Sequence, residues 1–467
     1  ELKLQEYKDP LNLNQSYSFE VLVRNNDTNF AGKLNLSPEG CTLRIMGERE
    51  FTSDYYTIET FECYTSRNHF LLSEVKFKSG RFASLRLNNP RDRGRFFELE
   101  FTVGFVIKAN TNTSLKKEAI FSGFSIEADM IRKWTGITNK QEDLLLQNSG
   151  SSFPSNADDD LKLFEIPLEN IGFLYLAYSL NLHTDIDSMS SGVKLTPQLG
   201  AHFFECKNIS LLLKEIRKIY ALLSFFWGDD FTINNLKITL PHVRGGGASG
   251  YYASNYITNN KMSPILPLGF DVRSRYNSYE GLPLDLFQKY YNLEDSKVEY
   301  FIKYLRYKRM KSNEEKFLGY FRILERLVHT TGTYVDEEIL KILLERSKKY
   351  LIKKLKSRSS DIRSLCNKII KGNQGKYVTH DCISRFFDEI PEEIKVTMSF
   401  KRSDIQGICK LRNDMTHAND YIVSEEDLYQ YTKFIHQLLI FALVNKLLGI
   451  SLDILIPLSD RFKFSNI

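Results

Sequence analysis

Hydrophobic and polar residues alternate along the first part of the chain, as in strands with one buried face. The alternation is clear in YSFEVLV at residues 17–23 and in FAGKLNLSPEGCTLRIMG at residues 30–47, where the turn residues SPEG separate two alternating runs. Turn residues between two such runs are typical of a hairpin. Further alternating runs follow to residue 128, before a short predicted helix that carries Trp134. The pattern predicts a β-rich, sandwich or barrel-like domain over residues 1–138.

The pattern becomes mixed over residues 139–282, which we assign to an α/β extension of the N-terminal region. Residues 139–160 lose periodicity and are rich in Ser, Asn and Asp, which predicts a linker or loop. Strand-like runs then accompany SLLLKEIRKIYALLSFFWG at residues 210–228, where apolar residues recur at helical spacing. The segment closes with RGGGASGYYASN, which we predict to be a loop because it contains four Gly.

Helical periodicity begins at residue 283 and continues through successive amphipathic runs, which predicts an all-α bundle over residues 283–467. Asp336 and Ser424 stand where the caps of two of these helices are expected. The fold class predicted for the whole chain is therefore α+β multidomain.

Charge and cysteine usage narrow the class of protein. Residues 283–467 carry 32 Lys and Arg against 25 Asp and Glu, so the bundle is basic, and the rest of the chain is slightly acidic. A basic domain favours a polyanionic partner, although most such charges are solvated surface. The six cysteines form no C-x-x-C pair, and no His has metal-ligand spacing, so we expect no zinc site, no disulfide framework and no cofactor.

The N-terminus lacks the apolar core of a signal peptide, and the most apolar late run, LLIFALVNKLLGI, is interrupted by Asn445 and Lys446. This run is too short for a membrane span. We therefore expect a cytoplasmic protein that is neither secreted nor inserted in a membrane.

The stretch ICKLRNDMTHANDY, residues 408–421, is a polar island between apolar helical runs, and it contains Arg412 and His417. Cleavage of a phosphodiester by the neighbouring 2′-OH needs a proton carrier, and His titrates near neutral pH. It also needs stabilisation of the charge on the phosphorane, which a guanidinium supplies with aligned donors. Asn413 and Asp414 can orient the imidazole or the phosphate by hydrogen bonds, and no metal is required.

The spacing alone is weak evidence, because an R-x4-6-H match is expected roughly once by chance in this composition. The chain contains a second match, Arg322 with His329, within a predicted helix whose other positions resemble core. Five residues on a continuous helix would separate the directions of Arg412 and His417 by about 140°, so the helix should end near Thr416. The loop implied by HAND favours this pair over the other.

A bundle with LRNDMTH at the end of a late helix, followed by a long apolar helix, resembles a HEPN domain, whose ribonuclease members share the motif R-N-x-x-x-H. The runs FAGKLNLSPEGCTLRIMG and FSGFSIEADMIRKW are similar to the N-terminal domain of ApeA-type proteins, which are antiphage abortive-infection proteins that also carry a C-terminal HEPN domain.

The resemblance implies a toxin-like, metal-independent endoribonuclease that cuts host RNA, with tRNA as one candidate. It implies that Arg412 contacts the scissile phosphate, that His417 is the general acid or base and that Asn413 supports one of them. It also implies a homodimer through the HEPN domain and a phage-derived activator. A polar residue from an early helix is expected beside the motif, and Glu325 is the candidate for it. The N-terminal region would be a sensor or a substrate-recognition domain.

The basic run RSKKYLIKKLKSR, residues 346–358, holds seven Lys and Arg and is a candidate RNA-binding surface through Lys349, Lys353, Lys354 and Lys356. A solvated helix face is the alternative for this run, and a surface acid or a helix-pairing acid is the alternative for Glu325.

Two other functions stay open: a non-catalytic HEPN module that binds nucleotide, RNA or protein in a regulatory assembly, and a sugar- or peptide-binding β-domain protein whose helices only dimerise.

Overall fold

The computed structural model of the chain describes residues 10–25, 28–48, 56–86, 93–110, 115–147, 161–185, 190–241, 247–254, 263–272, 279–373, 378–417 and 419–464. The chain forms two compact units, Glu1–Glu294 and Asp295–Ile467. The first unit is rich in β-strands and the second is helical, so the predicted fold class is confirmed. The predicted division at residues 138 and 282 stays a prediction.

The described part of the first unit contains twelve strands, and every pairing between them is antiparallel. The strands are β1 (Tyr17–Asn25), β2 (Thr28–Ser37), β3 (Gly40–Gly47), β4 (Thr60–Tyr64), β5 (Asn68–Arg86), β6 (Arg93–Asn110), β7 (Ile120–Glu127), β8 (Lys162–Leu168), β9 (Gly172–Asp185), β10 (Ser190–Asn208), β11 (Asn235–Thr239) and β12 (Ala248–Tyr251).

The first six strands close into a barrel. Their order is β3-β2-β1-β4-β5-β6, and β3 also pairs with β6, residues 41–47 with residues 97–103. The apolar residues of the alternating pattern face the interior of this barrel. Leu34, Leu43 and Ile45 are fully buried, while their neighbours in the chain are not. Closing the sheet on itself leaves no free strand edge among these six strands. The predicted SPEG hairpin is confirmed by the pairing of β2 with β3.

The second half of β6 extends the sheet beyond the barrel in the order β6-β12-β11-β7-β10-β9-β8. The described residues of this unit also form four helices: α1 (Asp129–Thr135), α2 (Asn139–Gln147), α3 (Ile209–Trp227) and α4 (Asp285–Tyr291). The long helix α3 packs against β7 and β10 and buries most of its side chains, among them Leu212, Leu222 and Phe226. The predictions of α3 and of the short helix carrying Trp134 are confirmed.

Two loops predicted from the sequence are wrong in part. Residues 139–147 form α2, whose Leu144 packs in a cluster with Tyr178, while residues 148–160 lie outside the described part of the chain. The Gly-rich run contains β12, all four of whose residues are buried between β6 and β11. Small side chains permit this insertion, because a Cβ at Gly250 would lie 2.6 Å from Leu236 Cδ2.

The described part of the second unit contains nine α-helices. They are α5 (Asp295–Lys308), α6 (Asn313–Leu327), α7 (Glu337–Leu355), α8 (Ser359–Asn373), α9 (Thr379–Asp388), α10 (Glu392–Lys395), α11 (Ile405–Thr416), α12 (Glu425–Ala442) and α13 (Ser459–Phe464). The helices α6 and α12 pack along each other and form the centre of the bundle, with Phe317, Phe434 and Leu438 buried.

The two predicted caps are confirmed. The side chain of Asp336 accepts from the N–H of Ile339 at the start of α7, and that of Ser424 accepts from the N–H of Asp427 at the start of α12. Both bonds satisfy an N–H that has no partner inside its helix. None of the helices in the described part of the chain has both the length and the apolar character that a membrane crossing requires.

Candidate active site

The Arg and His of the predicted motif lie at the C-terminal end of α11. Arg412 is inside the helix, and His417 is the residue that ends it, with φ −94° and ψ 7°. The N–H of His417 donates to the carbonyl of Asn413 at 2.9 Å, which is the last hydrogen bond of the helix. The prediction that the helix ends near Thr416 is therefore confirmed.

The guanidinium of Arg412 is fixed by contacts with two other predicted site residues. Nη2 donates to Oε2 of Glu325 on α6, and Nη1 donates to Oδ1 of Asn413 at 2.9 Å. The side chains of Arg412 and Glu325 are only 22% and 17% exposed, so this ion pair is less screened by water than a surface pair. Two of the five N–H donors of Arg412 are used in these bonds, which leaves donors for a phosphate.

The other carboxylate oxygen of Glu325 accepts a hydrogen bond from Thr379 Oγ1 at 2.9 Å. Thr379 is the first residue of α9, so Glu325 joins α6, α9 and α11 at one point. The structure thus places Glu325 beside Arg412, where the family resemblance implies a polar residue from an early helix. Its part in catalysis stays a prediction.

An aromatic ring and a buried thiol complete the surroundings of Arg412. The guanidinium carbon lies 5.2 Å from the centre of the Phe321 ring, within the range of a cation–π contact. Cys409, one turn before Arg412, is buried, and burial raises the pKa of its thiol to about 12. Cys409 therefore stays protonated and is not a nucleophile at neutral pH.

The structure does not join His417 or Asp414 to the Arg412 cluster. The imidazole of His417 is exposed and makes no hydrogen bond or ion pair with any other residue that the structure describes. Asp414 instead accepts from Asn419, through its backbone carbonyl at 2.9 Å and its side chain at 3.2 Å. Asp414 thus stabilises the turn after α11, and its predicted role in orienting His417 stays a prediction.

For the second sequence match, Arg322 and His329, the structure differs from the prediction that both residues lie within a helix. Arg322 is on α6, but the helix ends at Leu327, so His329 lies beyond it and not within it. Both side chains are exposed. Arg322 makes none of the described contacts with Glu325 that fix Arg412, and the choice of Arg412 over Arg322 as the phosphate ligand stays a prediction.

The predicted RNA-binding lysines lie on α7 and directly after it. No side chain of α7 is buried, and Lys349, Lys353 and Lys354 are exposed in its last turns. Lys356 follows with φ 48°, which ends the helix in the left-handed conformation. None of the described hydrogen bonds or ion pairs links these lysines to the Arg412 cluster, and exposed Tyr350 lies among them.

Phe321 and Thr379 were missed in the sequence. Phe321 precedes Glu325 by four residues on α6, so helical spacing could have placed both on one face. No sequence signal connects Thr379 with Glu325, because the two are 54 residues apart and meet only through packing of α9 on α6. Within the described residues, no group of three His, Cys, Asp or Glu side chains is arranged to hold a metal ion.

A cavity in the first unit lies between the barrel strands β4, β5 and β6 and the start of α3, and we call it the barrel cleft. Its volume is ≈ 1090 Å³, and its lining includes Tyr56, Lys76 and Arg217. Arg217 Nη2 donates to both carboxylate oxygens of Glu74, at 2.5 and 2.6 Å. Glu74 has φ 55°, a strained conformation for a residue with a side chain. The cleft therefore offers a preformed surface with both charges and an aromatic ring.

Two models of known protein families match the chain. The model described as ApeA N-terminal domain 1 matches residues 17–270, and the model described as Apea-like HEPN matches residues 318–453. The first match covers more than half of the chain, and the second begins within α6 and includes α9 and α11, so it contains all the residues of the Arg412 cluster. No curated protein and no solved structure matches the chain significantly.

Proposed function

Because this chain belongs to the family of HEPN-containing antiphage proteins that join an ApeA N-terminal domain to an Apea-like HEPN domain, we propose that it is a metal-independent endoribonuclease. HEPN domains are typically ribonucleases. The observation that carries the proposal is the guanidinium of Arg412, oriented by Glu325 and Asn413 five residues before an exposed His417. Its substrate is host RNA, with tRNA as one candidate, and its role is to stop phage infection by abortive infection.

In the proposed reaction the 2′-OH of a ribose attacks the adjacent phosphorus, and the bond to the 5′ oxygen breaks. His417 removes the proton of the attacking hydroxyl or returns a proton to the departing oxygen. Arg412 donates to the non-bridging oxygens as charge develops on the phosphorane. The products are a 2′,3′-cyclic phosphate and a 5′-hydroxyl end.

Glu325 and Asn413 act as positioning residues. An arginine side chain has several rotatable bonds, and holding it in one rotamer before substrate arrives lowers the entropy cost of reaching the transition state. Glu325 is itself held by Thr379, so the orientation of the guanidinium is determined by three helices. The ring of Phe321 supports the guanidinium from one side.

The proposal includes a homodimer through the HEPN domain. HEPN domains commonly dimerise, and the exposed His417 at the end of α11 has no described partner in its own chain. A two-fold axis would bring two copies of the motif into one cleft, so that each phosphate meets groups from both chains. The lysines of α7 would then contribute attraction for the RNA backbone outside the cleft.

The N-terminal unit is proposed as the sensor or substrate-recognition domain. The barrel cleft supports this role, since its volume of ≈ 1090 Å³ is that of a site for a ligand or for a segment of a partner. We propose that a phage-derived activator acts through this unit. The cytoplasmic location remains part of the proposal.

The test is incubation of the purified full chain with total RNA in EDTA, comparing wild type with His417→Ala and Arg412→Ala. We expect cleavage by wild type and its loss in both variants, with cyclic-phosphate ends on the products. Arg402→Ala is the matched control, because Arg402 pairs with Asp388 at the exposed surface outside the cluster. The RNA should come from infected and from uninfected cells, so that phage RNA is present in one arm.

Cleavage that persists in both variants would contradict the assignment, and loss of cleavage on adding EDTA would contradict the metal-independent mechanism. If Arg322→Ala and His329→Ala abolish cleavage while the Arg412 and His417 variants retain it, the second pair is the active one. RNA binding without cleavage, in both arms, would favour the alternative of a non-catalytic binding module.

A further inference from the structure

Three lysines from three helices of the bundle converge on one small cavity. Lys308 is at the end of α5, Lys316 is in the first turn of α6, and Lys433 is on α12. The cavity has a volume of ≈ 40 Å³ and is also lined by Tyr320 and His436. The three lysine side chains are half-buried, so their charges are less screened than those of surface lysines.

His436 forms the buried wall of this cavity. Its ring lies beside those of Tyr304 and Tyr320 in a cluster of three rings, with centroid distances of 5.3 and 4.6 Å and interplanar angles of 17° and 19°. Nε2 bonds to the hydroxyl of Tyr304 at 2.9 Å. Nδ1 is buried and has no hydrogen-bond partner among the described residues. A buried polar atom without a partner is destabilising, so this atom calls for a ligand in the cavity.

The lysines that line the cavity favour an anion there, through charge-assisted hydrogen bonds. Burial and the charges of Lys308 and Lys316 hold the pKa of His436 well below its ordinary value, so the ring is neutral. A neutral ring can carry its proton on Nδ1 while Nε2 accepts from the Tyr304 hydroxyl. In that tautomer the unpartnered Nδ1–H is a donor, and His436 lines the same cavity as the lysines.

The start of α6 adds a further favourable contribution for an anion. Asn313 and Lys316 belong to its first turn and both line the cavity. The positive end of the dipole of this 15-residue helix therefore lies at the cavity.

We propose that this cavity binds a phosphate group through Lys308, Lys316, Lys433 and Nδ1 of His436. The volume limits the ligand, because one water-sized atom occupies about 10–15 Å³ of such a cavity and a phosphate has four oxygens. A whole nucleotide is too large to enter, so any nucleoside would lie outside, near Tyr429, which lines the cavity and is exposed. The site takes the phosphate group alone.

This site is separate from the Arg412 cluster, although α6 contributes to both. Asn313 and Glu325 are twelve residues apart on that helix, which corresponds to about 18 Å. The phosphate can come from an RNA backbone that also reaches Arg412, or from a free phosphate or a small phosphorylated molecule. The first source rests on the proposed nuclease function, and the second does not.

The first experiment titrates the full chain with inorganic phosphate at constant ionic strength and follows the ³¹P NMR line width and the histidine ¹³Cε1 signals. We expect saturable broadening and a shift of the His436 signal in wild type. Lys316→Gln and Lys433→Gln should each weaken phosphate binding about tenfold, the loss expected for one charge-assisted contact. Lys303→Gln, on another face of α5 and paired with Glu299, is the matched control and should bind as wild type does.

Thermal unfolding without phosphate verifies that the variants fold. We expect them to fold, because glutamine is tolerated at a half-buried position. Equal phosphate binding by wild type, Lys316→Gln and Lys433→Gln would overturn the proposal, as would saturable binding that leaves the His436 signal unmoved.

A second titration, with a short single-stranded RNA in the His417→Ala background, identifies the source of the phosphate. If inorganic phosphate competes with the RNA and Lys316→Gln weakens RNA binding, the RNA backbone is the ligand. If RNA binding is unaffected while phosphate binding is lost, the ligand is a free phosphate group, and the site stands whether or not the chain is a nuclease.

Discussion

The guanidinium of Arg412 on α11 donates to the carboxylate of Glu325 on α6, across 87 residues of sequence. This ion pair connects the candidate phosphate ligand to the centre of the helical bundle, since α6 packs along α12. It also gives the active-site proposal a structural consequence, because the same pair contributes to the stability of the bundle and to the orientation of Arg412.

Replacing Glu325 tests both contributions. Glu325→Ala leaves the half-buried guanidinium without its anion, and we expect it to lower the free energy of unfolding by about 1–3 kcal/mol. Glu325→Gln keeps an oxygen that can accept from Arg412 and should cost less. Urea denaturation followed by circular dichroism measures both variants. Equal stability of Glu325→Ala and wild type would show that the pair does not contribute to folding.

Arg412→Lys separates charge from geometry. The lysine keeps the positive charge but has a single ammonium, which cannot reach Glu325, Asn413 and a phosphate together. We expect RNA cleavage to fall by about 10²-fold or more, since one donor to a developing charge is worth that much in other enzymes. Single-turnover cleavage of a labelled RNA measures the effect. A lysine variant as fast as wild type would mean that only the charge matters at this position.

Periodicity in the sequence was sufficient to predict the elements whose buried side chains recur at the spacing of a strand or a helix. Alternation placed the β2–β3 hairpin, and helical spacing placed α3 and the bundle, because in these elements each side chain is buried by its own position in the repeat. The end of α11 was also predictable, since HANDYIVS has no helical pattern and the Ser424 cap follows it. These features were enough to choose Arg412 and His417 over Arg322 and His329.

Elements held by distant partners were not predictable. The strand β12 consists of Ala, Ser, Gly and Tyr, which have no strong strand pattern, and it is a strand because β6 and β11 pair with both of its edges. Thr379 reaches Glu325 only through the packing of two helices. The cavity at His436 likewise depends on three helices, so no local motif indicates it.

The buried thiol of Cys409 makes stability depend on pH in the alkaline range. Burial raises its pKa from an ordinary value of 9.0 to about 12, so the folded state keeps a proton that the unfolded state loses above pH 9. The thiol's contribution is therefore complete below pH 9 and declines as the pH rises from 9 towards 12, by up to about 1.4 kcal/mol per pH unit. The stability difference between wild type and Cys409→Ala should shrink between pH 8 and pH 10.5 in urea denaturation. A difference that stays constant over this range would contradict the pKa shift.

The barrel cleft contains a close approach that a pair of substitutions can test. Gly104 lies opposite Glu74, and a Cβ at Gly104 would come within 2.7 Å of the Glu74 Cβ. Because that Cβ is fixed to a backbone in the left-handed conformation, it cannot move aside alone. We expect Gly104→Ala to destabilise the chain by about 1–3 kcal/mol through overpacking.

Glu74→Gly removes the Cβ in question and relieves the left-handed backbone, while the exposed pair that it breaks with Arg217 contributes little. Gly104→Ala should therefore cost markedly less in the Glu74→Gly background, with a coupling of about 0.5–3 kcal/mol in a double-mutant cycle. Arg217→Gln, which breaks the ion pair but keeps the Glu74 backbone, is the matched control and should not rescue Gly104→Ala. Additive effects of Gly104→Ala and Glu74→Gly would show that the two residues do not meet in this way.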